Sequence, residues 1–221
     1  MRSLVRHIAT ILVTVLLSLA GGRALAQEHL YPFMVETEPQ SKVNTEWGVG
    51  VGAVYTGFGK VSSDAVALHS RLGIQGHLDM ALLFGHHFAL ESKIIFERGG
   101  IDAEYRNKSY DITTTSMEMP VLLSLRMLDG ALRLNGGVEF GLISNGGYLD
   151  GRDSYMFGTV TPTWNLATGL GISILPNILL ELRYIHALQD GVNQLGATTK
   201  GAGHDFKTRT HKVILGLSLL L

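Results

Sequence analysis

From Trp47 to Leu221 the chain sets uncharged, mostly apolar residues at every second position, in segments of about ten, with polar and glycine residues between. In the stretch 72–82, Leu72, Ile74, Leu78, Met80 and Leu82 form one face and Gly73, Gln75, His77, Asp79 and Ala81 the other. A period of two means a strand whose faces meet different surroundings. Its recurrence behind an export signal predicts an all-β transmembrane barrel of about eight antiparallel up-and-down strands.

The predicted strands follow in order. Strand one, 45–57, presents Trp47, Val49, Val51, Ala53 and Tyr55, and strand two, 70–83, is the stretch just described. Strand three, 87–98, puts Phe88, Leu90, Ser92, Ile94 and Phe96 against Glu91, Lys93 and Glu97. Strand four ends a longer polar stretch, with Met117, Met119, Val121, Leu123 and Leu125 opposite Glu118, Pro120, Ser124 and Arg126. Strand five, 131–144, sets Leu132, Leu134, Val138, Phe140 and Leu142 against Arg133, Asn135, Gly137 and Glu139. Strand six, about 163–174, presents Trp164, Leu166, Thr168, Leu170 and Ile172, and strand seven, 177–186, sets Ile178, Leu180, Leu182 and Tyr184 against Glu181 and Arg183. Val213, Leu215, Leu217, Leu219 and Leu221 mark strand eight.

Tight turns at 84–86, 128–130 and 175–176 alternate with long polar segments at 58–69, 99–109, 145–162 and 189–207. Short turns on one side and long loops on the other are the outer-membrane arrangement, with the short side periplasmic.

Period two alone does not say which face meets lipid, because a soluble lipocalin-like barrel alternates in the same way. The apolar faces carry no charge, which suits either case. The opposite face carries Gly48, Gly50, Gly52, Gly73, Gly137, Gly141, Gly169, Gly171 and Gly216. Glycine weakens a solvated strand but fits where side chains converge inside a narrow barrel. Trp47 with Tyr55, and Phe88 with Phe96, sit eight residues apart, roughly 20 Å along a tilted strand, close to the apolar band of a membrane. With Phe140, Trp164 and Tyr184 they are the expected interfacial aromatics. Lipid therefore belongs outside.

The inward charges are then Arg71, Asp79, Glu91, Lys93, Glu97, Glu118, Arg126, Arg133, Glu139, Glu181, Arg183 and Lys212. Ions away from water cost several kcal/mol each unless they pair, so a charge-paired plug closing the lumen is expected. A gated narrow path for ions or solutes along the same residues is the alternative.

The first residues read as export machinery. Arg2 and Arg6 precede an apolar run from Ile8 to Leu19, and Ala24-Leu25-Ala26 offers a cleavage site. Residues 1–26 are expected to be a signal peptide, 27–44 a periplasmic lead-in, and 45–221 the barrel. Removing Arg2, Arg6 and Arg23 leaves 15 basic against 19 acidic residues, a net charge of −4, which gives no hint of nucleic acid. The chain has no cysteine, so neither a disulfide nor a lipid-bearing thiol is expected. A mean hydropathy of only +0.21 suits a barrel that hides its apolar band by alternation.

Met117-Glu118-Met119-Pro120-Val121-Leu122-Leu123 resembles the y-x-E-I-P-L-L strand of the PorT-like outer-membrane β-barrel family of Bacteroidetes-type bacteria. Leu180-Glu181-Leu182-Arg183-Tyr184-Ile185-His186-Ala187-Leu188 is similar to that family's L-E-x-R-Y-x-x-G-L strand, with Ala187 in place of glycine. The resemblance implies an outer-membrane barrel and, for the family's named member, a part in protein export by the type IX secretion route. Barrels of this kind usually end in an aromatic residue, whereas this chain ends in Leu221.

Catalytic, cofactor and metal sites are not expected. His86-His87 lies at a turn and points to opposite faces, and His204-Asp205 lacks a third partner. His69-Ser70 is the nearest approach to the base and nucleophile of a lipid-modifying enzyme, the second alternative, but adjacent strand residues do not face each other. The expectation is a monomer in the outer membrane of a Gram-negative bacterium, surrounded by lipid. Its role would be structural or recognitional, with envelope or secretion proteins met through the loops or the periplasmic side.

Overall fold

The structure, a computed structural model, describes residues 43–150, 153–157, 163–195 and 204–221. The expected signal peptide and nearly all of the expected lead-in lie outside the described residues. Among the described residues eleven strands form in chain order: β1 (Val43–Val61), β2 (Val66–Ser70), β3 (Leu72–Phe84), β4 (Phe88–Tyr105), β5 (Lys108–Met127), β6 (Leu132–Asp150), β7 (Asp153–Met156), β8 (Thr163–Leu175), β9 (Ile178–Ala187), β10 (Gly191–Leu195) and β11 (His204–Leu220). Eight close a ring in the order β1-β3-β4-β5-β6-β8-β9-β11, sealed by antiparallel pairing of β1 with β11 from Gly48↔Leu220 to Val61↔Thr208. Closure leaves no free sheet edge to meet hydrocarbon, the condition a strand-built membrane protein must satisfy. β2, β7 and β10 add to β4, β6 and β11 at one end of the ring.

At the other end the connections are tight. Gly85 at φ +67°, and Leu128, Asp129 and Gly130 at +53°, +52° and +80°, reverse the chain through left-handed conformations. Pro176 and Asn177 make the third turn. Outside the ring, Leu72, Ile74, Leu78, Leu123, Leu215 and Leu217 are exposed, while Glu91, Lys93, Glu139 and Arg183 are buried inside. This is the reverse of a soluble barrel.

Strand boundaries differ from those expected. β1 begins at Val43, inside the expected lead-in, and ends beyond Gly57. β4 and β5 continue through the expected loop 99–109 to a two-residue turn at Arg106 (φ +51°) and Asn107 (φ +61°). Two consecutive positive φ values make a tight hairpin connection whose twist matches that of its strands. Here Ile101, Ala103, Tyr110 and Ile112 pack into a second core with Val66, Tyr148, Phe157, Leu195 and Phe206. Their neighbours Asp102, Glu104 and Asp111 face the other way, which is why the segment reads as polar. On β6 the alternation slips at Leu142: Met117 pairs with Ile143 but Glu118 with Gly141, so one extra residue bulges. Gly141 and then Gly146 and Tyr148 are buried, and the period breaks where the fifth strand was expected to end.

Candidate functional site

Every ring strand sends alternate side chains toward the axis, and the charged ones gather in three tiers. Nearest the tight turns, Glu46 of β1 accepts hydrogen bonds from Arg126 (Nη1 3.0 Å, Nη2 3.1 Å) and from Arg133 (Nη1 2.7 Å, Nη2 3.3 Å). Glu91 accepts from Arg126 Nη2 at 3.3 Å and lies 3.9 Å from Arg133 Nη1. Two guanidinium forks thus share two carboxylates, the geometry that suits arginine best.

In the middle tier Lys93 Nζ donates to Glu181 Oε2 at 2.5 Å and lies 3.2 Å from Asp79, while Arg183 Nε is 3.6 Å from Glu181 Oε1. Arg183 is 1 % exposed, and among the described residues neither of its terminal nitrogens has a hydrogen-bond partner. In the upper tier Lys212 Nζ donates to Glu97 Oε2 at 2.8 Å and to Glu118 Oε1, which also accepts from Ser116 at 2.9 Å. Glu139 accepts from Asn165 Nδ2 at 3.2 Å. Among the described residues of the lumen, seven carboxylates meet five cations, and the excess lies in the upper tier.

The structure brings eleven of the twelve expected lumen charges together. Arg71 is the correction. It stands on the outer rim, half-exposed, paired with Asp111 at 2.6 Å and Asp102 at 3.6 Å. It precedes β3 at the level where the ring meets water, so its charge keeps its solvent. Glu46, which joins both arginines of the first tier, was missed, although extending the period of strand one by one step inward from Gly48 reaches it.

The seven expected aromatics all lie on the outer surface. Trp47 and Phe88 sit toward the tight-turn end, and Tyr55, Phe96, Phe140, Trp164 and Tyr184 toward the opposite end. Phe140 meets Trp164 edge to face, with centroids 4.7 Å apart.

A serine, a histidine and an aspartate also converge in the lumen. His77 Nε2 lies 2.9 Å from Ser218 Oγ and 3.6 Å from Asp79 Oδ2. Both contacts fall on one ring nitrogen, whereas a nucleophilic triad needs the carboxylate on the other. Nδ1 instead faces the Gln75 amide at 3.4 Å. His69 is exposed, and Ser70 Oγ donates to the Thr56 carbonyl rather than to the neighbouring ring. Among the described residues no three histidine, aspartate or glutamate side chains converge as metal ligands.

Among the described residues, a cavity lies at each end of the tiers. One of about 240 Å³ lies at the tight turns beside His86, His87 and Arg126. One of about 180 Å³ lies above the upper tier, with Glu97, Glu118 and Lys212 on its floor and Phe58, Ile101 and Phe157 above.

A closed eight-stranded ring with a hydrocarbon exterior and an ion-paired interior is a transmembrane β-barrel. The chain belongs to the outer membrane protein beta-barrel domain family, whose model matches residues 36–192. It is therefore an outer-membrane protein. Among solved structures it is similar to the neisserial surface protein NspA, at 14% identity and TM-score 0.52, covering 78% of this chain and 96% of that one. It is also similar to OprG from Pseudomonas aeruginosa, at 12% identity and TM-score 0.51, covering 81% and 97%. At these identities the likeness is one of fold. No curated protein matches the chain.

Proposed function

We propose that this protein works as a closed barrel that displays a rigid outer face for recognition, without conducting solute and without catalysing a reaction. The three stacked ion-paired tiers carry this reading, because any path through the lumen must part Glu46 from Arg126 and Arg133, Glu181 from Lys93, and Glu97 and Glu118 from Lys212. Buried pairs of this kind cost several kcal/mol to break. The second apolar core supports the recognition half, since it stiffens the outer hairpins that partners would meet. The test is single-channel recording in planar bilayers. No steady openings are expected, and openings that shift when Arg133 or Glu139 is neutralised would establish the narrow channel instead.

The outward aromatics and aliphatic bands are proposed to seat one copy of the chain in outer-membrane lipid. Assistance to export by the type IX route is the specific version of the role. It rests on the resemblance of 117–123 and 180–188 to the PorT-like strands. Deletion of the gene is expected to trap type IX cargo in the periplasm, and normal secretion would remove that version. An altered outer-membrane lipid profile in the same strain would revive the enzymatic alternative.

A further inference from the structure

We propose that the cavity above the upper tier is a binding site for a small organic cation, an ammonium or guanidinium group carried on an apolar body. The space is about 180 Å³. It lies where the interior changes character. Glu97, Glu118 and Lys212 form its floor, and Phe58, Ile101 and Phe157 border it above.

Among the described residues, two members of this lining each carry a buried polar atom with no hydrogen-bond partner: Glu118, 4 % exposed, at Oε2, and Thr208, 3 % exposed, at Oγ1. A carboxylate oxygen and a hydroxyl left unmatched away from water carry a standing desolvation cost that a donor would relieve. The cations that line the cavity are committed elsewhere. Lys212 serves Glu97 and the other oxygen of Glu118, and Arg71 on the cavity wall serves Asp111 and Asp102. Glu139, just below, adds a further carboxylate to the local excess.

The lining thus favours positive charge and hydrogen-bond donors. A bare divalent ion wants six or more oxygens and no ammonium among them, which this floor does not offer. An organic cation meets both halves of the lining, its charged end on Glu118 and Thr208 and its apolar body against Phe58, Ile101 and Phe157, where burial from water adds to the contact. Such a site lies inside the barrel and is independent of whatever the outer face meets.

The test is a calorimetric titration of the full chain, folded in zwitterionic nanodiscs, with benzylammonium, benzyl alcohol and benzoate, using empty discs as the blank. Benzylammonium is expected to bind about tenfold or more tighter than the alcohol, with benzoate silent, because the charge-assisted bond is the distinguishing contact. Glu118→Gln is expected to abolish that preference, and Thr208→Val to weaken benzylammonium several-fold while leaving the barrel folded. Equal affinity for ammonium and alcohol, or an unchanged affinity in Thr208→Val, overturns the site. If Glu118→Gln fails to fold, those two measurements still decide. Absence of any heat above the empty discs overturns it as well.

Discussion

Glu46 joins two arginines that have few other partners, so its removal is the sharpest perturbation of the lumen. The side chains of Arg126 and Arg133 are 5 % and 6 % exposed, and the Nε of each is already without a hydrogen bond. Glu46→Gln keeps the volume but leaves two guanidinium groups against Glu91 alone, turning a neutral tier into one of net charge +1. Removing one member of a buried ion pair costs 3–5 kcal/mol. Glu46 is itself 22 % exposed, which admits some screening, so the expected loss is about 3 kcal/mol. Adding Arg133→Met restores neutrality, with Arg126 still on Glu91, and should recover at least half of that loss. Equilibrium urea unfolding from phospholipid vesicles gives the free energies. Trp47 and Trp164, the chain's two tryptophans, both face outward and report departure from lipid through their emission. A Glu46→Gln protein within about 0.5 kcal/mol of wild type, or a double variant no more stable than the single, would refute the electrostatic argument.

The lipid face is tested at Leu78, outward and central in β3, where Leu78→Arg should destabilise the folded barrel by ~2–4 kcal/mol in the same assay; a silent substitution would place that face away from hydrocarbon. Gly50→Ala would put a methyl carbon 2.6 Å from the Leu217 carbonyl oxygen and into the His77 ring. Because the backbone oxygen is held in the β1–β11 ladder, a loss of about 1–3 kcal/mol is expected in the same unfolding measurement, and a stable variant would show that the ladder yields. Orientation is open to clean labelling because the chain has no cysteine. Asn107→Cys should react with a bulky maleimide on intact cells, and Asp129→Cys only after permeabilisation; the reverse pattern would invert the topology.

Much of the ring was legible because a membrane enforces one rule on every strand. Outward residues such as Leu78, Leu123 and Leu217 follow a strict period, and a one-residue slip would carry Glu91 or Arg183 into lipid, so their direction is written in the sequence. What stayed hidden has local causes. The hairpin of β4 and β5 read as loop because water, unlike hydrocarbon, tolerates Asp102, Glu104 and Asp111 outside, and its apolar partners are sparse. The extra residue at Leu142 shifted the parity of β6, so Tyr148 joined a core that period counting from Leu132 would have put outside. Which carboxylate meets which cation was not legible at all, since pairs such as Lys93–Glu181 and Lys212–Glu118 join strands far apart in sequence and depend on the register of the closed ring.

The same strands reverse their polarity without reversing their direction. On β4, Phe96 points out and Glu97 in; a few residues later Asp102 points out and Ala103 in. On β5, Met117 and Glu118 give way to Asp111 and Ile112, and on β11, Val213 and Lys212 give way to Lys207 and Phe206. No register shift separates these pairs on β4, so the change lies in the solvent outside and not in the sheet. It marks the level at which the barrel leaves lipid: below it the apolar side must face out, and above it the apolar side must turn in. At the crossing neither rule holds, and the inward positions are small or hydroxylic: Thr56, Gly99, Thr114, Thr208 and Thr210. Such residues fill the axis poorly, which is why the outer cavity opens at this height, between an ionic floor and an apolar roof.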